Sequence, residues 1–330
     1  MKNKLLVLLI LGLTMSLLGG CGSVSSASTQ TPTEIAAVQP TEAVKTDEQI
    51  TIYAPMSSSS IPVILAARQF TNVKLVLFAD QSQANTEFIR GDVSILVSGL
   101  SVGVDLYRNG VPVQAVNSFV SGLSYLVTSG TPVTSLKELA GKSIYVPFEG
   151  SPIDEVSGFL VTSEGLTWKE DISAVYSPFD SSIELLKQGK VDAVVLPEPM
   201  VTLVEDQPNV FISLDLAEEW NRVTGSNEGY PQVASFVNPD WAMEKATFLT
   251  DFNLALAAAI QSVQDDPQAA IDQVKDQYKL SPEKLLKSVS RTRYLLLSGS
   301  EMQSSIESYY ETIGKPLDEN FSNLYFSAAH

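Results

Sequence analysis

Thiol and imidazole chemistry are almost missing from this sequence, which carries one cysteine and one histidine in 330 residues. Cys21 has no second cysteine to pair with, so an intrachain disulfide is excluded, and a metal cluster of Cys and His ligands is out of reach. The single histidine, His330, occupies the last position and is a poor general base. Positive charge is scarce as well: 21 Lys and Arg stand against 38 Asp and Glu, for a formal net charge of -17. Binding phosphates requires concentrated Lys and Arg, so nucleic-acid partners are excluded. An acidic surface also limits adhesion to anionic lipid and polymers, which suits an exposed protein. No catalytic residue, metal or cofactor is expected.

What the chain does have begins with a targeting segment, residues 1–20. Lys2 and Lys4 precede an apolar run from Leu5 to Leu13 that continues to Leu18. The segment ends Leu18-Gly19-Gly20-Cys21, small residues directly before the only cysteine, and this resembles the lipobox of bacterial lipoproteins. The resemblance implies cleavage before Cys21, lipid (palmitate) on that cysteine, and residence on the outer face of the cell membrane. Residues 21–48 are the lipidated cysteine followed by Ser, Thr, Pro, Gln and Ala without an apolar period, which reads as a flexible tether.

The remaining chain has material for two cores, with 44% apolar residues overall. Its most legible stretch is residues 133–201, where turn chemistry punctuates helices and strands. Ser135 and Glu138 stand at capping-box spacing, Ser143 opens a short apolar strand, and Ser151-Pro152 with Asp154 is a helix start. Ser181 and Glu184 repeat the capping-box spacing before Leu185 and Leu186, and VDAVVL, residues 191–196, is a strand cut off by Pro197 and Pro199.

LKELAGKSIYVP, SPIDEV and LLKQGKVDAVVLPEP resemble, in order and spacing, the second lobe of bacterial solute-binding proteins of the nitrate/sulfonate/taurine and thiamine-precursor uptake group. The resemblance spans roughly residues 50–315. It implies an α/β periplasmic-binding-protein type II fold, two lobes each with a central sheet flanked by helices. It also implies partnership with an ABC permease and its ATPase, and a small-molecule ligand. A monomer is expected.

Residues 50–54, 73–78 and 93–97 are strands separated by helices at 61–70 and 81–90. Residues 118–127, SFVSGLSYLV, read as one long strand making a first crossing between lobes, and residues 227–231 mark a second. Lobe one is then 49–120 plus 232–330, and lobe two 121–231. Residues from Trp241 onward read as helical throughout.

Ligands of open α/β sheets sit where strands end and helices begin, because free N–H groups and helix dipoles converge there. The candidate ligand-binding residues are therefore Met56, Ser57, Ser58 and Ser59; Ser98 and Gly99; Ser121 and Gly122; Phe148, Glu149, Gly150 and Ser151; and Pro197 and Glu198. Phe148 stacks on a flat ligand or belongs to the core; Glu198 accepts from an amine or is a turn carboxylate; each serine binds ligand or caps a helix. Asp180, Tyr176 and Tyr230 are further candidates that serve equally as cap or core residues. These loops contain no Lys or Arg, and Glu149, Asp154 and Glu198 tilt the cleft toward a neutral or amine-bearing ligand. A thiamine-precursor-like aminopyrimidine is the first expectation, ahead of sulfonate or nitrate.

Two other classes compete with a binding module. Relatives on the same fold are enzymes of menaquinone-precursor formation or of pyrimidine synthesis. The pyrimidine synthases use a cysteine-rich iron-binding segment and a sacrificial histidine, which this sequence does not contain, and the export segment points away from both. A sensory domain would be followed by a membrane segment, and none follows.

Overall fold

The periodicities above become a chain of alternating strands and helices in a computed structural model that describes residues 48–327. The targeting segment, Cys21, the tether as far as residue 47, and His330 lie outside the described residues. In chain order the first elements are β1 (Ile50–Pro55), α1 (Ser60–Ala67), β2 (Val73–Phe78), α2 (Gln81–Ile89), β3 (Ile95–Gly99), α3 (Leu100–Arg108) and β4 (Gln114–Gly122). There follow β5 (Ser124–Ser129), a 3-10 turn (Leu136–Leu139), β6 (Ser143–Val146), α4 (Pro152–Ser163), β7 (Ser173–Tyr176), α5 (Phe179–Lys187), β8 (Ala193–Pro197), α6 (Met200–Val204), β9 (Val210–Asp215) and α7 (Leu216–Thr224). The chain closes with β10 (Val233–Val237), α8 (Pro239–Glu244), α9 (Ala246–Asp265), α10 (Pro267–Val274), α11 (Pro282–Ser290), β11 (Arg293–Ser298) and α12 (Gly299–Thr312).

Local chemistry sets several of these boundaries. Ser151 Oγ accepts from the Asp154 N–H at 3.1 Å, and Pro152 follows it, so α4 starts where its orphan donors are met. Ser281 and Pro282 start α11 in the same way. Asp215 caps α7 by accepting from Ala217 and Glu218, and left-handed Gly225 ends that helix. The capping box expected at Ser181 and Glu184 is not formed: α5 begins two residues earlier, after Pro178, whose ring presets φ, and Ser181 lies inside the helix. At Ser135 the box is shifted: Ser135 Oγ accepts from Lys137 N, while Glu138 accepts from Thr134 N and Oγ1.

The strands form two sheets, β11-β4-β10-β3-β1-β2 and β7-β6-β8-β5-β9. Both follow one plan. In each, three parallel strands (β2, β1, β3; β7, β6, β8) meet an antiparallel strand that has arrived from the other sheet, β10 in the first and β5 in the second. Alternate side chains face opposite layers, as the pleat demands. Val194 and Leu196 pack with Ile183, Leu186 and Val201 on one side of the second sheet, while Ala193 and Val195 join Val156 and Leu160 of α4 on the other. Ile95 and Val97 pack toward α1 and α9, and Leu96 faces the opposite layer with Leu100 of α3. This is the two-lobed α/β architecture of the periplasmic binding proteins, joined by two crossings.

Two expectations need correction. The apparent single strand over residues 118–127 is two strands in different sheets, broken at Leu123, where the chain leaves one sheet for the other. The tail is not all helix: β11 adds to the edge of the first sheet against β4, a pairing over more than 170 positions that no local pattern announces.

Candidate functional site

Each sheet changes winding direction between two parallel neighbours, β1 and β3 in the first and β6 and β8 in the second. At such a switch point the loops leaving the two strands diverge and leave a crevice at the carboxyl ends. The expected residues populate these places. Met56 to Ser59 follow β1, Ser98 and Gly99 end β3, Phe148 to Ser151 link β6 to α4, and Pro197 and Glu198 end β8. Ser121 and Gly122 lie at the end of β4, beside the first crossing.

The two switch points meet face to face. A Cβ placed on Gly99 would lie 2.8 Å from Pro152 Cγ, so the start of α3 touches the start of α4 and only glycine fits. Gly150 approaches Asp105 of α3 on the same seam. Half of the fourteen expected residues are sealed in: Ser58, Ser59, Ser98, Ser121, Gly122, Ser151 and Glu198 are buried, while Met56, Phe148 and Glu149 are exposed, Phe148 at 43%.

The serine loop after β1 is tied into its surroundings more than it caps α1. Ser57 Oγ and Ser59 Oγ share a hydrogen bond at 2.5 Å, Ser60 Oγ donates to the Pro55 carbonyl, and no side chain caps the helix. Ser58 Oγ bonds Thr292 Oγ1 at 2.7 Å, and the hydroxyls of Tyr294 and Tyr278 donate to the carbonyls of Ser58 and Ser57. Ser98 Oγ donates to Gln81 Oε1 at 3.0 Å.

The three carboxylates that the sequence singled out are each partnered within the protein. Glu149 pairs with Lys169 at 2.6 Å on the surface. Asp154 accepts from Gly150 N, Trp168 Nε1 and Tyr176 OH, fixing the loop after β6. Glu198 is fully buried; its Oε2 accepts from Thr202 N and Oγ1, and its Oε1 accepts from Arg291 Nη1 at 3.3 Å. Burial raises the Glu198 carboxyl above its usual range, against the pull of Thr202 and Arg291. Tyr176 is thus a partner of Asp154, Asp180 lies in the first turn of α5, and Tyr230 is a core residue stacked near Trp220 and Tyr309.

Sequence reasoning found no cation near these loops; the fold supplies one. Arg291 closes α11, and its guanidinium reaches Glu198, Thr202 Oγ1 and, at 2.6 Å, Glu205. Its neighbours continue the pattern. Lys284 pairs with Asp206, Lys287 with Glu205, Arg293 with Asp215 and Glu218, and Lys315 with Glu155. Every cation in this set lies in residues 284–315, and every acid lies in the stretch 155–218 that builds the second lobe. The RTR at residues 291–293 was the one available signal.

From the sequence Gln232 reads only as the start of a strand. Its side chain accepts from Leu123 N at 3.1 Å and donates to Ser124 Oγ at 2.6 Å, while its carbonyl accepts from Leu100 N at the start of α3. One buried residue therefore joins the two crossings through its side-chain amide and ties them to α3 through its backbone carbonyl. The crossings also touch directly: Tyr230 N donates to Ser121 O, and a Cβ on left-handed Gly229 would fall 2.0 Å from that same carbonyl oxygen. A cavity of about 720 Å3 opens beside the crossings, lined by Trp220, Tyr230, Tyr309 and, of the expected residues, Ser121.

The model of the family described as NMT1/THI5 like matches residues 71–270. No curated protein matches the chain. Among solved structures, an ABC transporter from Parabacteroides distasonis is 19% identical with a TM-score of 0.67, covering 86% of this chain and 100% of its own. The periplasmic aliphatic sulphonate binding protein SsuA from Escherichia coli is 15% identical with a TM-score of 0.70, covering 86% of this chain and 93% of its own. The alkanesulfonate-binding protein SsuA from Xanthomonas axonopodis pv. citri, bound to MOPS, is 14% identical with a TM-score of 0.65, covering 82% and 94%. At these identities the likeness is one of fold.

Proposed function

We propose, from the premise that the chain belongs to the NMT1/THI5-like family, that it is the extracytoplasmic solute-binding protein of an ABC importer. It captures a small organic solute between its lobes, leaves it chemically unchanged, and delivers it to a membrane permease driven by an ATPase inside the cell. The observation that carries this reading is the opposition of the two switch points across one seam, Gly99 against Pro152. A guest held there is grasped by loops of both lobes, so its binding energy favours the closed arrangement over the open one. The sulphonate-binding proteins above share this architecture and supply the analogy for the role.

The binding residues in this reading are Met56, Ser57, Ser58, Ser59, Ser98, Gly99, Phe148, Glu149, Gly150, Ser151, Pro197 and Glu198, with Ser121 and Gly122 at the hinge. The Glu198 charge is met by Arg291 and Phe148 is exposed, an arrangement that suits a neutral planar solute such as an aminopyrimidine. Lipid on Cys21 holds the protein at the outer membrane face, which labelled palmitate incorporation with a Cys21→Ser control tests. In this reading the lobes are 49–120 plus 232–330 and 121–231, with Ser121 and Gly122 at the end of β4 belonging to the crossing, and the protein acts as a monomer.

A thermal-shift panel of 4-amino-2-methylpyrimidine, ethanesulfonate, MOPS and nitrate tests the reading. A ligand at about 100 times its Kd stabilises the folded state by roughly 2.7 kcal/mol, a shift of several degrees. Recovery of the bound compound intact is expected; its conversion to a product would replace the binding reading with an enzymatic one.

A further inference from the structure

We infer that Arg291 is a specificity-determining residue of the inter-lobe cleft: supplied by the first lobe, it cancels the charge that Glu198 presents at the switch point of the second. The inference rests on the solute-binding reading for its meaning and on the following geometry for its substance. Glu198 has no exposure at the end of β8, and its Oε2 is taken by Thr202 N and Oγ1. The only cation at its Oε1 among the described residues is the Arg291 guanidinium. That guanidinium also meets Glu205 Oε2 at 2.6 Å and Thr202 Oγ1 at 3.3 Å, and the Arg291 backbone carbonyl accepts from the Tyr125 hydroxyl of β5 at 2.8 Å, so all of these partners belong to the second lobe.

Arg291 stands between α11 and β11, which pack with the first sheet, whereas Glu198, Thr202 and Glu205 follow β8 of the second sheet, in and around α6. Neutralisation of Glu198 is therefore conditional. When the lobes part, the guanidinium leaves and the carboxylate exchanges its counter-charge for water; closing without the arginine would bury that charge unpaired, which is costly. When they close, the site presents a balanced pair instead of a net negative charge. A cleft so built tolerates neutral and anionic guests; without the arginine it would repel anions.

The test uses the whole mature chain and needs no identified ligand for its first arm. Spin labels on exposed Lys74 of the first lobe and exposed Lys190 of the second report lobe separation in wild type, Arg291→Met, Arg291→Lys and Arg291→Met with Glu198→Gln. Arg291→Met shifts the distance distribution toward open forms, Arg291→Lys does so less, and adding Glu198→Gln reverses the shift because no unpaired charge is left. The second arm titrates anionic ethanesulfonate and neutral 4-amino-2-methylpyrimidine. Arg291→Met weakens the anion by more than tenfold and the neutral probe by less than threefold, a split that a purely structural role does not produce.

An unchanged distance distribution in Arg291→Met, or failure of Glu198→Gln to reverse the change, overturns the inference. Equal loss for both probes does so as well. Wild type that binds neither probe would count against the solute reading instead, and the distance arm then decides the role of Arg291 alone.

Discussion

Replacing Gln232 by methionine keeps the length of the side chain and removes both of its hydrogen bonds. The residue is 4% exposed, so water cannot take over. Two bonds are lost, to Leu123 N at 3.1 Å and to Ser124 Oγ at 2.6 Å. Each is worth about 1 kcal/mol net, and each leaves a buried partner whose unpaired state costs about 1–3 kcal/mol. Methionine recovers part of this by burying apolar surface, so the expected loss is roughly 2–4 kcal/mol, a large share of the ~5–15 kcal/mol that keeps a domain folded. At about 2–4 °C per kcal/mol, Tm falls by roughly 4–16 °C. Differential scanning calorimetry measures it directly. Gln83→Met is the control, since Gln83 donates to Glu87 at 2.8 Å but on an exposed surface, and Tm should stay within about 1–2 °C. If Gln232→Met behaves like Gln83→Met, the amide is not the tie between the crossings that its contacts describe.

Gly229→Ala puts a methyl group 2.0 Å from the Ser121 carbonyl oxygen at a left-handed backbone position, so loss of more than about 2 kcal/mol in urea unfolding is expected; a neutral result would mean the crossings are not pressed together. Asp154→Ala removes the acceptor of Gly150 N, Trp168 Nε1 and Tyr176 OH, and should cost about 2–4 kcal/mol while shifting the Trp168 emission; unchanged emission would refute the indole bond. Burial raises Glu155 above its usual range despite Lys315 beside it, so the folded state binds that proton more tightly than the unfolded state does. Its contribution to stability therefore falls as pH rises from about 4.5 through the higher folded value. The stability of Glu155→Gln relative to wild type should move in the variant's favour between about pH 4 and pH 7, and movement the other way would contradict the direction of the shift.

How much of this was written in the sequence depends on the range of the interactions concerned. Ser151-Pro152-Asp154, the parallel strands β1 to β3 and β6 to β8, and the loops at their carboxyl ends rest on neighbours within a few positions, and they could be read before any coordinates. The same holds for the two crossings, although the alternation over residues 118–127 hid the change of sheet at Leu123, because the pleat continues through it. What could not be read was set by partners far along the chain. RYLLLS is apolar enough for a helix or a strand, and only β4 waiting at the sheet edge decides for β11. Likewise Glu198 between two prolines looks like an open turn; its burial and its salt bridge come from Arg291, 93 positions away. Ser181 misled for a local reason, since Pro178, three positions earlier, already sets the start of α5 and leaves Ser181 inside the helix.

The opposed helix starts carry a last consequence. Closing the lobes brings the positive ends of the α3 and α4 dipoles together, which is unfavourable unless negative charge or hydrogen-bond acceptors lie near both. At α4 the chain provides them itself: Asp154 and Glu155 occupy the first turn, and Asp154 takes the Gly150 N–H. The first turn of α3 has no acid, and the Ser101 hydroxyl in it, 2% exposed, has no partner among the described residues. If a guest is held at this seam, its acceptor atoms belong against α3 and not α4. Ser101→Ala should then leave unfolding free energy within about 0.5 kcal/mol of wild type, because no protein hydrogen bond is lost, while lowering solute affinity roughly five- to tenfold, the weight of one hydrogen bond of about 1 kcal/mol to a polar ligand. Isothermal titration beside urea unfolding separates the two quantities. A variant that loses stability and keeps its affinity would show that the hydroxyl serves the core, and that the α3 dipole is answered by something other than the guest.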